Sequence, residues 1–287
     1  MISVVLASCR SSALLLESVA ALLPQCRLLG AELVVARATP IVPDPELPAG
    51  VRVVPCPADA TIPGLRGAGL AAATGDWVAL TEDNCIAASN WLVELSGGFP
   101  GEATVVGGTM GNARPARPID GGAAFAEYGF FGPDQVEPSA GSAPLITGAN
   151  VAYHRSIVGK VALWALAGDW EDVIHGRLAS EGAHFRVMRR AMVEQNLQYQ
   201  LSAFCLDRYQ HGRDYARVRS RGLTFPARLV RAAATPLLPP VLGARIWRSA
   251  GRAAPQSFVR ALPYTLAFLA AWAAGEAVGY LVPRSSR

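Results

Sequence analysis

Lysine is almost absent from this chain. Lys160 is the single one among 26 basic residues in 287, and the rest are arginine. Cysteine is sparse and dispersed: Cys9, Cys26, Cys56, Cys85 and Cys205 form no CxxC pair. That excludes a disulfide framework and a zinc ribbon, and it fits a reducing compartment. Histidine is scarce too, and His154, His175 and His184 lack the spacing of metal ligands. Charge is thin at 17%, against 51% hydrophobic residues, so the chain is apolar for a soluble protein. No charged region precedes an apolar core at the N-terminus, so Met1 to Leu6 is expected as a first strand and not a signal peptide. No internal repeat and no nucleic-acid-binding motif is present, so nucleic acid is not expected as a partner.

Acidic residues are also missing from one end. Residues 1–207 carry 13 basic and 20 acidic side chains, a net −7, whereas residues 208–287 carry 13 and 2, a net +11. Arginines from Arg208 to Arg260 alternate with Leu, Val, Ala, Pro and Trp, a pattern suited to an anionic membrane surface.

What is there reads as alternating strands and helices. Ile2 to Leu6 is a buried strand. Ser11 or Ser12 caps a helix reaching Leu29, with Leu15, Val19, Leu22 and Leu23 on one face. Strands at Glu32–Val35 and Val51–Val54 flank a loop containing Pro40, Pro43, Pro45 and Pro48. A helix over 65–73 leads through Gly75-Asp76 into the strand Trp77–Leu80. A helix over 88–96 and a strand over 103–107 follow. Then comes a Gly/Pro-rich stretch, 107–144, read as a lid or binding loop. Leu145–Tyr153 reads as strand, Gly turn, strand. Helices are expected over 169–181 and 199–217. The alternation predicts a parallel sheet with helices on both faces.

Thr81-Glu82-Asp83-Asn84 carries the most chemistry. Its two carboxylates sit where a buried strand opens into a loop, and ligands of open α/β sheets bind at the carboxyl ends of strands. Hard oxygen ligands there suit Mg²⁺ or Mn²⁺, with phosphate oxygens completing the shell. The plainer alternative is an acidic turn capping the next helix.

Several landmarks in order make residues 1–215 resemble the family 2 glycosyltransferases of the GT-A fold. They are the opening βαβ from Ser3 to Val35; Leu65-Arg66-Gly67-Ala68-Gly69-Leu70 with Gly75-Asp76; Thr81–Asn84 followed by Trp91-Leu92; Thr147-Gly148-Ala149-Asn150; and Glu171-Asp172 with Arg177-Leu178 and Gly182. The resemblance implies a Rossmann-like, mostly parallel α/β sheet with helices on both faces. It implies transfer of a sugar from a nucleotide-diphosphate donor to a hydroxyl acceptor, a glycan or a lipid-linked molecule, assisted by Mg²⁺ or Mn²⁺. It gives Asp83 as metal ligand with Glu82 and Asn84 beside it, and Arg66 at the donor diphosphate. It also implies a basic closing segment at Arg208, His211 and Arg213, and an acceptor side at Gly148 and Asn150. Either Glu171 or Asp172 is the catalytic base, and both also suit the dipole of a helix start. The sequence departs from the family pattern at Ala36-Arg37, where an acid usually follows the second strand, and at Gly67, Glu82 and Asn84. No counterpart is evident near Glu194–Asn196 for a histidine common there.

Beyond Gly222 the composition shifts, so residues 1–222 are expected as the catalytic domain and 223–287 as membrane-associated helices. Leu262–Val282 nears the ~20 apolar residues of a span, but Pro263, Gly275, Glu276 and Gly279 weaken it. Interfacial helices are expected first and a single span second, at the cytoplasmic face of an inner membrane. Two further readings compete. Gly67–Ala72 imitates a dinucleotide-binding GxGxxA, though no strand directly precedes it. A non-catalytic sugar-nucleotide-binding membrane protein would share the donor site without turnover.

Overall fold

The computed structural model describes residues 1–39, 46–111, 117–133, 145–196, 198–220 and 222–282. Pro40, Pro43 and Pro45 of the expected loop, and parts of the 107–144 stretch, lie outside them. In chain order the elements are β1 (Ile2–Ser8), α1 (Ser12–Leu29), β2 (Glu32–Ala38), β3 (Val51–Cys56), α2 (Ile62–Ala72), β4 (Trp77–Glu82), β5 (Cys85–Ala87), α3 (Trp91–Ser96), β6 (Val105–Met110), α4 (Pro118–Tyr128), β7 (Val151–His154), α5 (Arg155–Leu166), α6 (Glu171–Ser180), β8 (Phe185–Gln195), α7 (Leu201–Arg219), α8 (Phe225–Ala234), α9 (Leu238–Ile246) and α10 (Pro255–Leu281). They fall into two compact units, 1–111 with 136–196, and 112–135 with 197–287. The composition shift at Gly222 lies inside the second unit, between α7 and α8.

The first unit is built on one eight-stranded sheet ordered β3-β2-β1-β4-β7-β6-β8-β5. β3, β2, β1 and β4 run parallel; β1, β2 and β4 are buried, near-continuous apolar runs, as strands covered on both faces are, while β3 is the more exposed edge. The other half is mixed: β7 is antiparallel to both β4 and β6, β8 runs parallel to β6, and β5 is antiparallel to β8. Val5, Val34, Val78, Val105 and Val151 form the sheet's share of a buried core with Val158, Val161 and Leu178 from the helices. From β1 the chain moves outward to β2 and β3 and returns on the other side at β4. The carboxyl ends of β1 and β4 therefore border a crevice of the kind that binds ligands.

Local chemistry sets the boundaries. Ser11 caps α1 by accepting from Leu14 N, and Gly30 ends it in the left-handed region at φ 62°. α2 starts three residues earlier than expected because Thr61 caps it through Gly64 N. Within α2, a Cβ at Gly69 would collide with Val5, and one at Gly67 with Leu166 on α5. These glycines bring helix against sheet and helix against helix. They lie inside a helix and not at a strand-to-helix turn, so the dinucleotide reading of Gly67–Ala72 has no phosphate cradle. Only Val151–His154 of the expected double strand is strand; Thr147 instead closes a turn through Ala149 N and Asn150 N. α5 and β8 have no counterpart in the sequence reading.

The second unit is helical. α4 arises within the stretch read as patternless, because its Gly121 and Gly122 pack against Ala261 and Tyr264 of α10. Arg117 grips Asp120 at 2.6 and 2.7 Å, and Asp120 also accepts from Tyr199 N at 2.8 Å. Phe125, Phe204, Ile246, Phe258 and Phe268 make the core. α10 is its axis, and glycines seat it against α7. A Cβ at Gly275 would strike Tyr209 O, one at Gly279 Arg213 O, and one at Gly212 Trp272 O.

Candidate active site at the carboxyl ends of β1 and β4

β4 delivers Glu82 and Asp83 to the crevice, and the turn that follows is held on several sides. Asp83 N donates to Ala7 O at 3.0 Å, Ser18 Oγ on α1 donates to Asp83 O at 3.0 Å, and Asn196 N donates to Asn84 O at 2.7 Å. The Asp83 side chain is buried. Its Oδ2 accepts from Ser8 Oγ at 2.9 Å and from Arg10 N at 2.8 Å, with Arg10 Nε 3.7 Å from Oδ1. Oδ1 has no hydrogen-bond partner. Burial raises the Asp83 pKa, against the opposing pull of the Arg10 N–H, the Ser8 hydroxyl and the Arg10 charge. Among the described residues, no three His, Cys, Asp or Glu side chains gather as a metal site. One carboxylate with a buried oxygen left over still fits a hard cation that takes its other ligands from water and phosphate. Asn84 is fully buried beside it, and its Nδ2 has no partner.

Ser8 and Arg10 escaped the sequence reading, and Arg37 entered it only as a departure from the family pattern. Arg37, at the end of β2, is buried and donates to Ser8 Oγ at 2.7 Å and to Arg10 O at 3.2 Å. Arg37, Ser8 and Asp83 thus form a chain of hydrogen bonds across the ends of β2, β1 and β4. The signal was the one used for Asp83: Ser8, Arg10 and Arg37 all stand where buried strands emerge. Cys9 is no nucleophile, because burial and then the Asp83 charge push its thiol up to about 11.

Arg66 organises the other side. Its guanidinium bridges Glu82 and Glu171, the latter at 2.7 Å. Gly148 is a glycine because a Cβ would overlap that guanidinium. Arg66, expected at the donor diphosphate, is engaged by two carboxylates in a buried triad. Burial works against charge on Glu171, but the Arg66 charge prevails, with hydrogen bonds from Arg66 and Gly148 N adding to it, and the carboxyl stays below its ordinary range. Asp172, the next residue on α6, is exposed. Behind them Tyr153 Oη and His175 Nε2 lie 2.8 Å apart, and burial lowers the His175 pKa to about 4, so the ring is neutral at pH 7.

Asn150, expected on the acceptor side, is a fully buried latch. Its Oδ1 accepts from Trp91 Nε1 at 2.8 Å, and its Nδ2 donates to Thr109 O and Ala191 O at 2.9 Å. With both polar ends engaged, it ties α3, β6 and β8 together. Arg208, His211 and Arg213 belong to the second unit. Arg208 is buried there, 4.4 Å over the Trp272 ring and donating to Ala126 O at 3.4 Å, so its guanidinium serves that unit's interior. His211 is exposed, and Arg213 Nε lies 3.8 Å from Asp214.

No family model matches the chain, and no curated protein matches it. Among solved structures, a mannosyltransferase from Pyrobaculum calidifontis in complex with GDP-mannose and Mn²⁺ aligns at TM-score 0.55 and 15% identity, over 96% of this chain and 86% of that one. Glucosyl-3-phosphoglycerate synthase from Mycobacterium tuberculosis aligns over 72% of this chain and 74% of that one, at TM-score 0.45. Its identity is 18% in the complex with Mn²⁺, UDP and phosphoglyceric acid, and 17% in that with Mn²⁺ and UDP-glucose. The likeness to the mannosyltransferase is one of fold: this chain has the α/β, GT-A-type architecture.

Proposed function

We propose that the chain is a family 2 glycosyltransferase. It moves a sugar from a nucleotide-diphosphate donor to a hydroxyl of a glycan or lipid-linked acceptor, at the cytoplasmic face of an inner membrane. The observation that carries the reading is the buried Asp83 carboxylate with one oxygen that accepts no hydrogen bond, in the crevice between β1 and β4 of a GT-A-type sheet. The mannosyltransferase of similar fold, solved with GDP-mannose and Mn²⁺, supports the same donor class here.

Asp83 would hold a Mg²⁺ or Mn²⁺ ion through Oδ1, with Asn84 beside it. Such an ion neutralises charge on the departing diphosphate. Arg10, with its side chain about a third exposed next to Asp83, is the cation best suited to diphosphate oxygens. Arg66 holds Glu82 and Glu171 in fixed positions. Glu171, its carboxylate engaged and its pKa lowered, is a poor proton acceptor. Asp172, held beside it and open to solvent, takes the acceptor's proton as the sugar is attacked.

A thermal-shift panel of UDP, GDP and NAD, with and without Mn²⁺, tests this. Stabilisation by a nucleoside diphosphate that needs Mn²⁺, and that Asp83→Asn removes, is expected. An Asp83→Asn protein with unchanged Mn²⁺-dependent binding refutes the metal assignment. Stabilisation by NAD alone points to the dinucleotide reading. Binding without turnover of any donor points to a non-catalytic binder.

A further inference from the structure

We propose that the second unit meets an anionic lipid surface through α8 and α9, with α10 packed through one face into the unit's core. The inference rests on the membrane half of the reading above. Among the described residues, two helices are long and apolar enough to cross a membrane, α1 and α10. α1 buries Leu15, Val19, Leu22 and Leu23 in the first unit. α10 buries Phe258, Phe268 and Leu269 in the core of the second, and three glycines set its backbone against α7. Glu276, the charge a span would carry into hydrocarbon, accepts from Trp272 Nε1 at 2.6 Å and is buried within the unit.

α8 is different. One side is tied to α10: Ala232 is buried, Arg228 Nε donates to Tyr280 O at 2.9 Å, and the Arg231 guanidinium lies 6.0 Å from the Tyr280 ring centre. The other side is apolar and open. Phe225 and Leu229, one turn apart, are 62% and 50% exposed, and Val230 is 69% exposed; Leu237 and Val241 continue the strip to α9 at 65% and 47%. Arg245, Arg248 and Arg252 are exposed just beyond it. No acidic residue occurs between Asp214 and Glu276, a stretch with nine arginines. Burial of the apolar strip and attraction of the arginines to anionic headgroups reinforce each other. A second copy packed on the same strip would instead bring arginine against arginine.

The test uses the full-length protein and sedimentation with vesicles of phosphatidylcholine, alone or with phosphatidylglycerol. Wild type should bind the anionic vesicles and be largely released by high salt or carbonate. The double substitution Leu229→Asp, Val230→Asp should weaken binding by about tenfold or more. Arg245→Glu, Arg248→Glu should weaken it and flatten its salt dependence. Leu163→Asp, at an exposed apolar position of the first unit, should change neither. Circular dichroism checks that each variant is folded, and the nucleotide panel is run on the same samples. If wild type binds no vesicle, the membrane reading falls while the donor reading stands. If the α8 variant binds as wild type does and carbonate releases neither, α10 is the anchor and this proposal is overturned. If wild type is a dimer that the α8 variant disperses, with no vesicle binding, the strip belongs to a second copy.

Discussion

Glu171 and Asp172 are adjacent in the chain and have opposite surroundings. Glu171 shares the Arg66 guanidinium with Glu82, while Asp172 is exposed. Asp172→Asn should therefore cut turnover by about 10²–10⁴-fold with donor affinity kept, since proton removal is needed only during reaction. Glu171→Gln should lower the melting temperature, because part of the buried Arg66 charge loses its counter-charge, and turnover should fall less. Kinetics and melts of both variants decide it. A Glu171→Gln protein of normal melting temperature without turnover, beside an active Asp172→Asn protein, would reverse the roles. A second carboxylate reports on folding alone. Burial acts to raise the Glu32 pKa, but hydrogen bonds from Ser3, Thr74 and Arg52 outweigh it and hold the pKa at about 2 in place of 4.5. A depressed folded pKa contributes stability above the unfolded value, and that stability is lost as pH falls from about 4.5 towards 2. Because the side chain is partly in water, screening reduces the contribution to the order of 1 kcal/mol. Glu32→Gln should thus be less stable at pH 7 and lose less on acidification. Urea titrations at pH 7 and pH 3 with parallel stability losses for the two proteins would contradict this.

At the scale of elements, glycine decides how closely the helices approach. Gly275→Val should push α10 off α7 at Tyr209 O and cost about 3 kcal/mol or more. Gly159→Ala is the contrast: on α5 its Cβ meets nothing within 4 Å, so a gain of up to about 1 kcal/mol is expected. Urea unfolding followed by circular dichroism measures both, and a Gly275→Val protein as stable as wild type would mean the two backbones do not touch. The same glycines mark what was legible in the sequence. α1 was read with its observed bounds, because a Ser cap and apolar residues along one helix face are local signals. β1, β2 and β4 were found because buried parallel strands are continuous apolar runs. α4 was missed because the glycines that let it pack on α10 read as loop. At the candidate site, the position of Asp83 directly after a buried strand was legible. The engagement of Arg66 by Glu171 and the latching of Asn150 by Trp91 were not, since they join residues 105 and 59 positions apart. Residue type announces a group's chemistry, whereas the direction it faces comes from packing.

On the scale of the whole molecule, the shift of composition at Gly222 and the division of the structure do not coincide, and deletion would expose the difference. Were 223–287 a detachable anchor, removing it would leave a soluble enzyme. But α10 supplies Phe258, Phe268 and Leu269 to a core that also holds Phe125 of α4 and Phe204 of α7. Three such side chains contribute about 5–9 kcal/mol by burial, comparable to the 5–15 kcal/mol that holds a typical domain together. α4 and α7 would then keep their charges and lose the surface their apolar faces cover. Truncation after Gly222 should therefore give a protein that aggregates or binds a hydrophobic dye, with less helix than the deleted residues account for. Light scattering, dye fluorescence and far-ultraviolet circular dichroism on the purified fragment measure this. A monodisperse fragment that binds no dye, and whose helix content falls only by that of α8, α9 and α10, would show that the segment is an appendage after all.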